Sequence, residues 1–260
     1  MKAPCYDLGL MDYPSCWTLQ QSLFDSLISH KSAKAGAKTS NAPLVIAEAT
    51  DTEGQSQKIV LSDNSEEAGC VLFVEHLPVY TLGKSGHSEN LLIARNTLEA
   101  MGAQFFHIDR GGDITFHGPG QLVGYPILDL EKVGIGLREY IDALEEAVIR
   151  TVDHFGIRGG RIAGASGVWI DIESPRPRKI CAIGVRSSRY VTMHGFALNV
   201  TTDLNWFARI NPCGFTDRGV TSIALETGTT PSMEEVKDLV MNFLSEILNV
   251  KIYKNKIVCP

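Results

Sequence analysis

A cysteine held at a bend is the residue in this chain best suited to covalent chemistry. Ile210 to Phe215 reads INPCGF; Pro212 fixes one φ and Gly214 admits a positive one, so Cys213 is presented on a turn. An ordinary thiol has a pKa of about 8.5 and is only slightly ionised at neutral pH, so Cys213 needs a cation; each unit of lowering stabilises the anion by about 1.4 kcal/mol. Lys179 is the one lysine inside an otherwise apolar strand, KICAIGVR. Period-two alternation places Lys179, Cys181, Ile183 and Val185 on one face and Ile180, Ala182 and Gly184 on the other. A lysine sharing its face with aliphatic side chains is semi-buried. That lowers its pKa and suits it to pair with a thiolate or to take a proton from an attacking amine. Plainer readings stand beside these: Cys213 as an inert buried thiol, Lys179 as a strand terminus with its ammonium in water, and Cys181 as core.

Two glycine-containing stretches could shape a pocket around such a pair. In Arg110 to Gln121, RGGDITFHGPGQ, no GK[ST] closes a Walker loop and no helix follows as a dinucleotide fingerprint requires. Glycines 111, 112, 118 and 120 instead predict a backbone that a ligand approaches closely, with N–H groups available for a carbonyl or oxyanion, or else two ordinary turns. His117 and His194 each stand beside a glycine, in HGPG and HGF; they either orient reacting groups or are satisfied structural histidines.

These segments need a scaffold. Ser15 is the expected N-cap of a helix through CWTLQQSLFDSLISH, in which Trp17, Leu23, Phe24, Leu27 and Ile28 recur at helical spacing. Residues 31–69 are rich in Ala, Ser, Thr, Lys, Glu and Gly, with short apolar runs LVIA and IVL, and read as an insertion or long surface excursion with room for a hairpin. Strands follow in CVLFVEH, in the start of VYTLGKSGHSENLL, around Phe105 to Ile108, at Ile114 to Phe116 and in LVGYPILDL. A helix over LREYIDALEEAVIRTVDHF is stopped by Gly156. Strands GVWIDI, KICAIGVR and Val191 to Val200 lead to a last helix from about Met233 to Leu248, opened by Ser232 and Glu235 at capping-box spacing. Short strands in mixed order, three long helices and no linker predict one α+β domain over residues 1–260, a twisted mixed or antiparallel sheet with helices packed on it.

The totals exclude several function classes. The 260 residues are 44% hydrophobic, enough for a full core. Lys and Arg number 24 against 30 Asp and Glu, a net charge of −6. With no basic block, nucleic acid is not an expected partner. No apolar run approaches the ~20 residues that span a bilayer, and MKAPCYDLGLMDYP lacks a signal peptide's apolar segment, so the expectation is a cytoplasmic protein without membrane association. The six cysteines form no CxxC pair and are expected as reduced thiols. The seven histidines show no HxxxH or HExxH spacing, so no metal site is expected.

Taken in order, RGGDITFHGPGQLVGYPILDL, KICAIGVR, HGFALNV and RINPCGF resemble the signature of the bacterial lipoyl(octanoyl) transferases, and VEHLPVYTLGKS with NLL resembles that family's upstream segment. The likeness runs from about Val71 to Thr221, with the first helix added. It implies the fold of the biotin and lipoate protein ligase catalytic domains and a reaction without a cofactor. The donor it implies is octanoyl-acyl carrier protein; the acceptors are lysines of the lipoyl domains of 2-oxoacid dehydrogenases and of the glycine-cleavage H protein. It implies that Cys213 carries the acyl thioester, and that Lys179 lowers its pKa and shuttles the proton. It also implies an acyl pocket lined by Arg110, Gly111, Gly112, Asp113, Ile114, Thr115, Phe116 and His117, by Ala182, Ile183 and Gly184, and by His194, Gly195, Phe196 and Ala197. The stretch 31–69 and the tail after Leu225 depart from the family pattern. The alternatives are an ATP-dependent lipoate or biotin protein ligase, which has no use for a nucleophilic thiol, and a non-catalytic carrier-binding module. Because acyl carrier proteins are usually acidic, a local basic patch is expected, with Lys84, Arg138, Arg186, Arg189 and Arg218 proposed for it.

Overall fold

The central strands of this chain are apolar on both sides because other elements cover both faces of the sheet they build. The structure, a computed structural model, describes residues 1–34, 43–50, 54, 56–62, 66–211 and 218–256. The chain opens with β1 (Lys2–Met11), α1 (Tyr13–Lys34), β2 (Pro43–Thr50), β3 (Ser56–Ser62), β4 (Gly69–His76) and β5 (Val79–Leu82). Next come α2 (Arg95–Ala100), β6 (Gln104–His107), β7 (Ile114–His117), β8 (Gln121–Leu128), α3 (Leu130–Val133) and α4 (Leu137–His154). The remainder is β9 (Gly160–Ile162), β10 (Ala165–Ile170), β11 (Arg178–Ser188), β12 (Val191–Asn199), β13 (Gly219–Val220), α5 (Ile223–Thr227), α6 (Met233–Leu248) and β14 (Lys251–Asn255). Among the described residues no helix is long and apolar enough to cross a membrane.

The main sheet has the order β14-β1-β4-β8-β12-β11-β10-β9, with β13 beside β11. β1 runs parallel to β14 and β4, and the pairings from β4 across to β9 are antiparallel. A second sheet has the order β6-β5-β7. This is the mixed-sheet α+β architecture expected from the strand pattern. Alternation sorts side chains between two cores. Cys5, Val71, Phe73, Leu122, Phe196 and Leu198 face α4 and α6, whereas Tyr6, Leu72, Val74, Val123, Tyr125 and Ala197 face α1 and the β2–β3 hairpin. The apolar runs of the 31–69 stretch form that hairpin, and Ala47, Ile59 and Leu61 are buried in it. This part of the stretch is core, not a surface excursion.

Two helix caps differ from expectation. Asp12, not Ser15, caps α1: its Oδ1 accepts from the Ser15 N–H at 2.9 Å, and the Ser15 hydroxyl donates to the Thr50 carbonyl at 2.8 Å. The helix begins at Tyr13, so Asp12 holds the N-cap position and Ser15 already lies in the first turn. Ser232 stands at the N-cap of α6 without a side-chain cap bond, so the expected capping box is not formed.

The middle of the sheet is drawn together where side chains are missing. A Cβ on Gly195 would lie 2.2 Å from the Gly124 carbonyl oxygen, and one on Gly124 would lie 2.2 Å from the Phe196 ring. Beyond this point Pro126 has no N–H to give, and the β8–β12 ladder ends at the Gly124–Phe196 pair. The Thr192 hydroxyl takes over, accepting from the Leu128 N–H at 3.0 Å and donating to the Pro126 carbonyl at 2.8 Å. Gly195→Ala is expected to lower stability by about 3 kcal/mol through this overpacking, measured as a shift of the urea midpoint. A loss below about 1 kcal/mol would show that β8 and β12 part without strain.

Candidate active site

In the β10–β11 ladder Trp169 pairs with Lys179, but Val168 pairs with Cys181. β11 therefore carries one residue more than β10 between these pairs, a β-bulge. The bulge corrects the face assignment expected for KICAIGVR. Ile180 and Cys181 both enter the core under α4 and α6, followed by Ile183 and Val185, while Trp169 and Lys179 are left on the other side. Lys179 is half-buried. Its Nζ donates to the Ser166 carbonyl at 3.2 Å and sits 4.5 Å from the centre of the Trp169 ring, whose plane the Arg218 guanidinium also approaches, at 5.0 Å. A carbonyl oxygen and a π face both favour the charged ammonium.

Beside Lys179 lies a cavity of about 800 Å³. Ala182, Ile183 and Gly184 of β11 and His194, Gly195, Phe196 and Ala197 of β12 form one wall. Arg110, Gly111, Gly112, Asp113, Ile114, Thr115 and His117 form another. Phe116 does not reach the cavity. Its ring stacks on Trp206 at 5.2 Å and packs on Tyr80, because β7 turns this position into the small sheet's own core. Leu137 and Ile141 of α4, Phe207, Tyr13 and Tyr125 also line it, and no local motif announced them.

The N–H groups of two of the four glycines are committed to structure. The Gly111 N–H donates to the Val185 carbonyl at 2.9 Å and that of Gly120 to Glu75 at 2.8 Å, so neither is a spare oxyanion donor. Gly118 and Gly120 lie away from the cavity, against the Phe116 ring and Thr201. Asp113 acts through its neighbours. Its carboxylate accepts from the Asn90 amide at 2.5 Å and the His87 N–H at 3.2 Å, and the Asn90 carbonyl accepts from the Asn211 N–H at 2.9 Å. Asn211 and Arg218 both border the cavity. Cys213 lies outside the described residues.

The histidines are held in hydrogen-bond networks. Arg110 donates to the Thr81 hydroxyl at 3.0 Å, which stands 3.4 Å from Nε2 of His117; Nδ1 of His117 donates to Gln121 Oε1 at 2.8 Å. Gln121 Nε2 donates to Asn199 at 2.8 Å, and Asn199 to the Thr221 carbonyl at 2.9 Å. Since every link has one direction, His117 is the neutral Nδ1–H tautomer. His76 is bonded likewise to Tyr125 at 2.8 Å and to the Met11 carbonyl at 3.0 Å. His194 adopts φ +61°, and its Nε2 meets Asp109 at 3.0 Å. That bond, with Arg186 on the other carboxylate oxygen, holds the Asp109 carboxyl below its ordinary range. Arg186 is stacked also on Phe24. Cys181 is core as one reading had it, and burial pushes its thiol up, as it does for Cys16 and Cys70 and for Cys5, to about 12.

Residues 55–245 match the family model for the lipoyl protein ligase A/B catalytic domain. The chain belongs to that family. An octanoyltransferase of Parabacteroides distasonis is 56% identical over 183 residues, 70% of this chain and 83% of the relative. One of Bacteroides thetaiotaomicron is 46% identical over 251 residues, 96% of this chain and 97% of the relative, an alignment that runs through residues 31–69 and most of the tail after Leu225. One of Porphyromonas gingivalis is 50% identical over 223 residues, 85% of this chain, and the match spans only 39% of its own length. Among solved structures, a bipartite lipoate protein ligase of Thermoplasma acidophilum superposes with a TM-score of 0.64 over 99% of this chain and 88% of its own, at 14% identity. A lipoate-protein ligase A bound with ATP gives 0.60 over 99% and 90%, at 15% identity. These two likenesses concern the fold.

Burial holds His76 and His117 neutral, with their pKa values lowered to about 4 and about 3. In the unfolded chain both titrate near 6.5. Below that pH the unfolded state takes up protons that the native rings refuse, so stability is complete above about pH 6.5 and is lost as the pH falls toward 4. The urea midpoint is expected to fall steadily from about pH 7 to pH 4.5, and His117→Gln to flatten that slope. An unaltered slope in the variant would mean that the native ring accepts the proton.

Proposed function

We propose that this chain is an octanoyltransferase of protein lipoylation, working through a thioester on Cys213 with Lys179 as its proton partner. The observation that carries the reading is the ammonium of Lys179 in the wall of a large, largely apolar cavity that Asn211 and Arg218, the residues flanking 212–217, also border. Cys213 follows Asn211 by two residues in the chain. Full-length identity to octanoyltransferases supports the same chemistry.

In this reading an octanoyl-acyl carrier protein presents its thioester at the cavity, with the acyl chain laid along Ile183 and Phe196. The Cys213 thiolate attacks the carbonyl, the tetrahedral intermediate collapses, and the carrier's phosphopantetheine thiolate leaves with the proton from Lys179. Thioester exchange is nearly balanced. The acceptor lysine of a lipoyl domain or of the glycine-cleavage H protein then attacks the enzyme thioester, neutral Lys179 takes its proton, and the amide forms as the Cys213 thiolate leaves. Amide formation drives the sequence, so no nucleotide or other cofactor enters. The reaction is assigned to the cytoplasm, where the carrier and the acceptors meet.

Incubation with octanoyl-acyl carrier protein, followed by peptide mass spectrometry, is expected to find an octanoyl adduct on Cys213. Cys213→Ser should lose the adduct and at least about 10³-fold in transfer, and Lys179→Ala should lose about 10²-fold or more. Full transfer by Cys213→Ser with a requirement for ATP would assign the protein to the ligases. No adduct and no transfer under any condition would leave a carrier-binding module.

A further inference from the structure

The peptide unit joining Ser166 to Gly167 has a charged partner at each end. Its carbonyl oxygen accepts from the Lys179 ammonium at 3.2 Å, and its N–H donates to Oε1 of Glu145 at 2.9 Å. Glu145 comes from α4 and is only 6% exposed; its Oε2 accepts from Arg161 Nε at 3.1 Å. Gly167 has φ +120°, and a Cβ there would lie 2.4 Å from the Cys181 carbonyl oxygen. Only glycine lets this peptide turn its N–H to α4 and its carbonyl to Lys179. A carboxylate bonded to a peptide N–H polarises the unit, making its carbonyl a stronger acceptor for a cation.

We infer that Glu145 is a positioning residue for Lys179: acting through the 166–167 peptide, it fixes the ammonium at the cavity wall and stabilises its protonated form. The inference rests on the role given to Lys179 in the proposed function. Among the described residues, other charged groups stand near Lys179 or the 166–167 peptide. Arg178, its neighbour on β11, is paired with Asp171 and Glu226. Arg218 shares the Trp169 ring and disfavours the ammonium. Arg161 divides its charge between Glu145 and Glu146. The Cys181 thiol is buried and protonated.

The test follows the pH dependence of Lys179 acetylation by acetic anhydride, read by peptide mass spectrometry, together with octanoyl-transfer kinetics. Glu145→Gln keeps the shape and the acceptor for the Gly167 N–H but removes the charge. The Lys179 midpoint is expected to fall by about half a unit to one unit, and kcat by about tenfold with the carrier KM unchanged. Glu146→Gln removes the same charge one residue along α4, touches Arg150 and Arg161 but not the peptide, and should leave the Lys179 midpoint in place. An unmoved midpoint in Glu145→Gln, or equal shifts in both variants, overturns the inference. Should Glu145→Gln not fold, Glu145→Asp, which withdraws the carboxylate by one methylene, serves instead: a lowered midpoint supports the inference and an unmoved one overturns it. Full transfer by Lys179→Ala would overturn the role of Lys179 itself, whatever the Glu145 variants do.

Discussion

The one-residue mismatch between β10 and β11 governs the rest of the site. Without it, Lys179 would follow Cys181 and Ile183 into the core under α4 and α6, where a buried ammonium costs several kcal/mol unless it is paired. With it, Ile180 and Cys181 fill that core together. The lysine emerges beside Trp169 at the cavity wall. The mismatch is held by Gly167, whose positive φ no larger residue could adopt against the Cys181 carbonyl. Backbone conformation, rather than side-chain choice alone, thus decides which way the cation faces.

The cavity lies between the main sheet and the smaller β6-β5-β7 sheet, and its polar wall is built so that it need not be wet. From Arg110 through Thr81, His117, Gln121 and Asn199 to the Thr221 carbonyl, each donor meets an acceptor in a single direction. A chain satisfied in this way escapes the penalty of buried unpaired polar groups and keeps the His117 ring within it neutral, with the Arg110 guanidinium as the charged donor at its head. Asp109 does the complementary task at the rim, tying the 110–113 loop to Arg186 and His194.

Much of this could be read from the chain, and the failures share a physical cause. α4 and α6 are legible because each lays one apolar stripe on one layer, and α6 spans Met233–Leu248 as its periodicity indicates. β1 is not legible: Pro4, Asp7 and Gly9 break its alternation, and its parallel partners β4 and β14 lie far away in sequence. The bulge is invisible in KICAIGVR because it is a property of two strands together, not of one. Residues of the glycine-containing motifs line the cavity, yet Phe116 and the N–H groups of Gly111 and Gly120 go elsewhere. Their partners, Trp206, Val185 and Glu75, come from remote parts of the chain. Trp169 and Glu145 belong to no motif and became visible only when β10 and α4 were placed against Lys179.

Cys5, Cys16, Cys70 and Cys181 are all buried and unbridged, with burial holding each as the thiol. Peroxide and maleimide attack accessible thiolate, so these four sulfurs are inert to both while the fold is closed. They become targets when the sheet opens. The chain therefore contains its own chemical record of opening: damage at these positions dates from moments when the molecule was unfolded, and not from turnover.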